Sequence, residues 1–290
     1  MSDFTLAAAD TRSSAELHAA FAGAFSDYVA GPFRMTLAEW PSLQGRQGIV
    51  NALSRVALRG GEVIAFAFTC PRVESGRWRL GAMGALPAAR GSGAAQALLD
   101  DFLARAQAAG MGAAELECFA QNERALRLYR SCGFETVCAL NGWKAVTSPA
   151  PARDAPRADA DTAVREIDRD TAFAWLAEAN QRIEMLPFPN THFSQSAQPR
   201  PLTFWRCAQA RAAFSVVEGT PTHLHSLVDL DPSLAGAEAL ARALQQAHPG
   251  VFAPPVLRDD LGGATLARLG FERAELDQVL MKREFRATVR

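Results

Sequence analysis

The segment Ala85-Leu86-Pro87-Ala88-Ala89-Arg90-Gly91-Ser92-Gly93-Ala94-Ala95 joins a strand end, a glycine loop and the first turn of a helix. A helix opening this way leaves its first amides without intrahelical partners and presents the positive end of its dipole. Glycines at 91 and 93 supply positive φ and keep side chains away, so the backbone can approach an anion closely. Arg90 adds a fixed cation at the rim. The sequence therefore predicts a cradle for a phosphate or pyrophosphate.

Other glycine loops fail on the same residues. No Gly-Lys-Ser/Thr follows the glycines, so a P-loop lacks both its lysine and its magnesium hydroxyl. The dinucleotide fingerprint needs a small residue where Gln96 stands, although Glu115 and Glu117 lie where a ribose-binding acid would be sought. A nucleophile elbow needs glycines on both sides of Ser92, and Arg90 and Ala94 occupy those outer positions.

A second pattern follows: Asn122-Glu123-Arg124-Ala125-Leu126-Arg127-Leu128-Tyr129-Arg130-Ser131-Cys132-Gly133-Phe134. The first segment resembles motif A of the GCN5-related N-acetyltransferase (GNAT) family, Val-x-Pro-x-x-Arg/Gln-Gly-x-Gly-x-Gly/Ala, with Ala85 replacing the valine and Ala95 as the final small residue. The second resembles that family's motif B, matched at Asn122, Ala125, Leu128, Tyr129, Gly133 and Phe134. The resemblance is specific over Ala85 to Phe134 and only architectural elsewhere.

The resemblance implies acetyl-CoA as cosubstrate. Its pyrophosphate would rest on Arg90, Gly91, Ser92, Gly93, Ala94 and Ala95, and its pantetheine would run beside Met83 and Ala85 between splayed strands, with the Ala85 N–H facing the thioester carbonyl. Tyr129 is the expected general acid, its phenol protonating or hydrogen-bonding the departing thiolate. Asn122 reads first as a helix N-cap and second as a cosubstrate contact.

The base is open. No acid lies on the strand Trp78 to Ala85, where relatives often place a glutamate. Glu115 and Glu117 share one face of the next strand and serve either as a cleft base or as solvated acids. In the region after the first helix, Asp27 with Tyr28 and Phe33 offers a carboxylate among aromatics to a cationic amine. A turn-capping Asp27 is the other reading.

The 290 residues, 49% hydrophobic and 21% charged, suffice for two buried cores. A net charge of −1 without a basic run argues against nucleic acid as a partner. The N-terminus Met1-Ser2-Asp3-Phe4 does not read as a leader, and no apolar stretch approaches the ~20 residues of a membrane span, so a cytoplasmic protein without membrane attachment is expected. Five cysteines without Cys-x-x-Cys spacing suggest reduced, mostly buried thiols.

The first half reads as β-α-α-β-β-β-α-β-α-β, the order of the acetyltransferase fold, with separate strands at Thr136–Leu140 and Trp143–Val146 at its end. A segment with Pro149, Pro151 and Pro156 reads as a linker, and the order then recurs. In the copy, aligning Pro232 with Pro87 places Glu238 at the position of Gly93, and aligning Gly270-Phe271 with Gly133-Phe134 places Leu266 at that of Tyr129. A glutamate repels a phosphate and leucine donates no proton, so the copy is expected to be inactive, packing on the first domain, closing the acceptor cleft or forming a dimer. Leu186 to Asn190 and Trp205 either line such a seam or belong to ordinary core. His223 and His225 lack a third fixed ligand, so no metal is expected.

The expected fold is α/β (α+β): two acyl-CoA N-acyltransferase-like domains, each a mixed, mostly antiparallel sheet flanked by helices. Their expected limits are 1–148 for the catalytic domain, 149–161 for the linker and 162–290 for the degenerate copy. The expected function is acetyl transfer from acetyl-CoA to a primary amine, on a small molecule or a protein, by direct attack in a ternary complex, with the protein a monomer or homodimer. A non-catalytic acyl-CoA sensor is the alternative.

Overall fold

The longest strand sets the first core. Every residue from Val63 to Cys70 is buried, the pattern of a strand covered on both faces. A computed structural model describes residues 3–146, 163–248 and 250–285. It divides the chain into two units, Met1–Val137 with Leu280–Arg290, and Cys138–Val279. The expected linker, 149–161, lies outside the described residues.

The first unit contains β1 (Thr5–Ala8), α1 (Ser14–Ala24), α2 (Trp40–Gln47), β2 (Arg55–Arg59), β3 (Glu62–Arg72), β4 (Arg77–Ala85), α3 (Ala94–Ala108), β5 (Ala113–Phe119), α4 (Glu123–Ser131) and the start of β6 (Glu135–Lys144). This is the expected β-α-α-β-β-β-α-β-α-β order. β1 to β4 pair antiparallel in sequence order, and β4 pairs parallel with β5. On one face, Leu17, Phe21 and Ala24 of α1 and Trp40 of α2 pack with Phe66 and Phe68. α3 packs across β2 to β5 and buries Leu98, Leu99, Phe102, Leu103 and Ala106. A capping box starts α1: Ser13 Oγ accepts from the Glu16 amide at 3.2 Å, and Glu16 Oε2 accepts from the Ser13 amide at 2.8 Å.

The second unit contains the rest of β6, then β7 (Arg165–Ile167), α5 (Arg169–Arg182), α6 (His192–Ser196), β8 (Thr203–Cys207), β9 (Ala210–Ser215), β10 (His223–Asp229), α7 (Ala235–Ala247), β11 (Phe252–Leu257), α8 (Gly263–Arg268) and β12 (Glu272–Arg273). Its strand order is β6-β11-β10-β9-β8-β7, with β10 and β11 parallel and the other neighbours antiparallel. Both units are mixed, mostly antiparallel sheets flanked by helices.

The final strands depart from a linear division. β13 (Gln278–Glu284) supplies the strand beyond β5 in the first unit, whereas Cys138 onward in β6 belongs to the second, beyond β11. β6 is one strand rather than the two expected. Asn141 and Gly142 do not turn: Asn141 pairs with Leu257 and Trp143 with Ala253 of β11, so the chain stays extended between them. Leu186 and Phe188 are buried at 0% and 3% exposure, and Asn190 Nδ2 donates to His225 O at 3.1 Å, so this segment is core.

Candidate active site

β4 and β5 pair only through Arg77↔Ala113, Trp78↔Ala114 and Arg79↔Glu115. Two ion-pair groups hold this paired section. Glu115, fully buried, accepts from Arg72 Nη1 and Arg77 Nε at 2.5 Å each, and Glu117 accepts from Arg79 Nε at 2.6 Å. Beyond them the strands part. Gly81 is an extra residue on β4, between Phe68↔Ala82 and Thr69↔Leu80, a bulge that bends the strand at the point of parting. A side chain at Gly84 would meet Ala24 Cβ and the Phe66 ring at 2.9 Å, so its absence lets α1 seat against the sheet.

A cavity of about 730 Å³ fills the parting. Met83 and Ala85 line one wall, the loop from Arg90 to Ala95 closes one end, and Asn122, Leu128 and Tyr129 supply the α4 side. The Leu86 N–H donates to Ile64 O at 2.9 Å, toward β3. Strand alternation therefore turns the neighbouring Ala85 N–H away from β3 and into the parting.

At the loop, Gly91 and Gly93 have φ +83° and +85°, and a Cβ on either would meet nothing within 4 Å. Gly93 is the N-cap of α3 and supplies no side chain. The first i→i−4 bond of the helix is Ala97 N–H to Gly93 O at 3.0 Å, which leaves the Ala95 and Gln96 amides ahead of it as donors. Ser92 does not line the cavity; its Oγ accepts from the Ala94 amide at 3.3 Å.

Tyr129 is 7% exposed. Burial pushes its phenol well above the ordinary value, with the Cys118 thiol and the Tyr28 phenol adding to the effect. Asn122 Oδ1 accepts from the Ala125 amide at 3.2 Å, so it is an N-cap, and it also lines the cavity. Tyr28 stacks edge-on against Phe119 and hydrogen-bonds Asn122; burial, then Cys118, raise its phenol to about 12 against that hydrogen bond.

Three expectations are corrected. Glu115 and Glu117 are held by Arg72, Arg77 and Arg79 and do not line the cavity, because alternation on β5 points them at the arginines of β3 and β4. Phe33 packs on Phe21, with ring centroids 4.6 Å apart, inside the α1–α2 core. Asp27 is no free acceptor group: it takes both Nη atoms of Arg90 at 2.5 Å. That pair holds its carboxyl below the usual carboxylate range.

Sequence reading missed Gln96 and Arg124, which line the cavity. Gln96 had weight only as an obstacle to another fold, and Arg124 occupies a variable position of the second pattern.

The second unit repeats the frame but not the site. Phe271 N–H bonds Leu266 O at 3.0 Å, as Phe134 N–H bonds Tyr129 O at 3.0 Å, so Leu266 holds the place of Tyr129. The helix matching α3 begins after Leu234, whose φ is +58°, which makes Leu234 rather than Glu238 the counterpart of Gly93. Glu238 instead pairs with Arg242 and Arg268. Asp229 fills the cradle, its Oδ2 accepting from the Ala237 amide at 2.9 Å and its Oδ1 from the Asp231 amide at 3.0 Å. A side chain at Gly236 would meet Cys207 O at 2.6 Å, so no room remains there.

Among the described residues, no helix is long and apolar enough to cross a membrane, and no group of three or more His, Cys, Asp or Glu is placed to hold a metal.

The model of the Acetyltransferase (GNAT) family matches residues 18–134. The chain is similar to a GCN5-related N-acetyltransferase from Sphaerobacter thermophilus at 16% identity and TM-score 0.64, covering 98% of this chain and 96% of that one. A GCN5-related N-acetyltransferase from Anabaena variabilis gives 15% identity and TM-score 0.64 over 97% of this chain and 72% of that one. Eis1 from Mycobacterium abscessus gives 16% identity and TM-score 0.58 over 97% and 73%. At these identities the likeness is one of fold. No curated protein matches the chain.

Proposed function

Residues 18–134 form a domain of the acetyltransferase (GNAT) family, and from that premise we propose that this chain transfers an acetyl group from acetyl-CoA to a primary amine, of a small molecule or a protein, by direct attack in a ternary complex. The observation that carries the reading is one cavity bordered by an open glycine cradle, the inward Ala85 N–H and Tyr129.

In this reading the amides of Gly91, Gly93, Ala95 and Gln96 hold the cosubstrate's pyrophosphate, supported by the α3 dipole. Acetyl-CoA supplies the activated acyl group. The Ala85 N–H stabilises negative charge growing on the acyl oxygen as the amine attacks. Tyr129 hydrogen-bonds the departing thiolate; its raised affinity for the proton keeps the phenol protonated, and so able to donate, at every physiological pH.

The carboxylates among the described lining residues are Asp27, paired with Arg90, and Glu123, which is exposed and paired with Arg127. The amine therefore enters as the free base or loses its proton to water at the cavity mouth. The same lack of an unengaged carboxylate favours the second reading, an acyl-CoA sensor without turnover.

Thermal-shift titration with acetyl-CoA, followed by free-thiol release across a panel of amines, tests both. Stabilisation with amine-dependent thiol release supports the enzyme, and stabilisation without release supports the sensor. Absence of stabilisation overturns both.

A further inference from the structure

In the second unit, Ile167, Phe204 and Ala213 lie directly opposite one another on β7, β8 and β9 and pack with Ala172 and Phe173 of α5. Two residues along each strand, on the same face, stand Arg165, Arg206 and Arg211, also directly opposed. Like charges at cross-strand positions destabilise a sheet, so such a row calls for a compensating charge.

The protein supplies little. Arg206 and Arg211 line a cavity of about 520 Å³ with Trp175, Glu178 and Arg182 of α5. Glu178 is the carboxylate among the lining residues, and it lies 3.4 Å from Arg182. Among the described residues, Arg165 and Arg206 enter no ion pair. The Arg211 guanidinium lies 4.8 Å over the Trp175 ring, and its Nη1 donates to the carbonyls of Ala208 and Ala210, but its buried Nε–H has no acceptor. Burial and the Arg206 charge lower the proton affinity of this guanidinium, with Asp229 opposing. Asp229 is itself engaged by the Asp231 and Ala237 amides.

We propose that this arginine-lined cavity of the second unit binds a phosphate-bearing anion. Arg165, Arg182, Arg206 and Arg211 against Glu178 leave a surplus that a single carboxylate does not neutralise, whereas a phosphate brings two charges and oxygens that match the guanidinium fork. Nothing in this inference depends on the acetyl-transfer reading.

The test uses the full chain and inorganic phosphate at constant ionic strength. Phosphate raises the Tm of the wild-type protein saturably, as a ligand of the folded state does, and acetate at equal concentration does not. Arg206→Ala removes the phosphate increment and leaves the phosphate-free Tm unchanged or higher, because a repulsive neighbour is gone. Ala95→Glu, which sets a carboxylate at the cradle amides of the first unit, keeps the increment, which separates this cavity from the glycine cradle. Arg206→Lys serves as a milder variant and binds phosphate about tenfold more weakly than wild type. Titration of tryptophan fluorescence with phosphate gives the same midpoint and loses its signal in Trp175→Phe. An undiminished increment in both Arg206 variants, or an equal one with acetate, overturns the proposal.

Discussion

Asp27 holds Arg90 by both ends of its guanidinium fork, each Nη 2.5 Å from a separate carboxylate oxygen. The residue that the sequence offers as the cation of the phosphate cradle is thus already charge-compensated. A pyrophosphate arriving at the loop competes with Asp27 for it.

Asp27→Asn therefore tightens acetyl-CoA binding, by about two- to fivefold given the exposure of the pair. The Arg90 hydrogen bonds and charge hold the Asp27 carboxyl below its usual range, so the pair persists at neutral pH and is lost only as pH falls through that lowered value. The difference between wild type and variant is accordingly flat from neutral to alkaline pH and shrinks in acid. Calorimetric titration at several pH values measures it. Weaker binding by the variant would make Asp27 a support for Arg90 instead of its competitor.

Tyr129→Phe lowers kcat about 100-fold with little change in acetyl-CoA affinity. Because burial raises the Tyr129 phenol, it stays protonated across the working range and adds no limb to the pH–rate profile. The rate instead rises with pH up to the pKa of the acceptor amine, and the limb moves when amines of different basicity are compared. A limb fixed in position across acceptors would point to a protein base.

Glu115→Ala leaves Arg72 and Arg77 without their shared carboxylate and destabilises the chain by about 3–5 kcal/mol, read as a fall in Tm. In protein kept folded at low temperature, the pH–rate profile keeps its shape. A lost or displaced limb would return Glu115 to the chemistry.

Acetyl-CoA is expected to bind once per chain. Asp229→Ala frees the Ala237 and Asp231 amides, costs about 1–2 kcal/mol of stability and still gives a single binding event, since Cys207 O crowds Gly236. Two binding events per chain in the wild-type titration would show the second unit to be functional.

Local chemistry was legible where few residue types satisfy the backbone. Gly91 and Gly93 take the left-handed conformation the sequence predicts, and Asn122 caps its helix. What the sequence did not carry was the partner across the sheet. Alternation put Glu115 and Glu117 on one face without showing that Arg72, Arg77 and Arg79 share it, and Asp27 gave no sign of its distant partner Arg90. The periodic pattern missed β11, which carries Pro254 and Pro255, and β13, whose membership in the first unit is set by an open edge of β5. The glutamate at position 238 was misassigned because proline spacing is a poorer ruler than the residue at which the helix begins.

The strand traffic between Val137 and Leu280 limits how this gene can be cut. A fragment ending near residue 146 carries every side chain that lines the glycine-cradle cavity yet leaves β5 with a bare edge, and a fragment beginning at residue 163 leaves β11 in the same condition. Such edges invite aggregation. Domain-wise expression will thus call for a redrawn open reading frame, with residues 280–285 grafted behind α4 and residues 138–144 reserved for the other half.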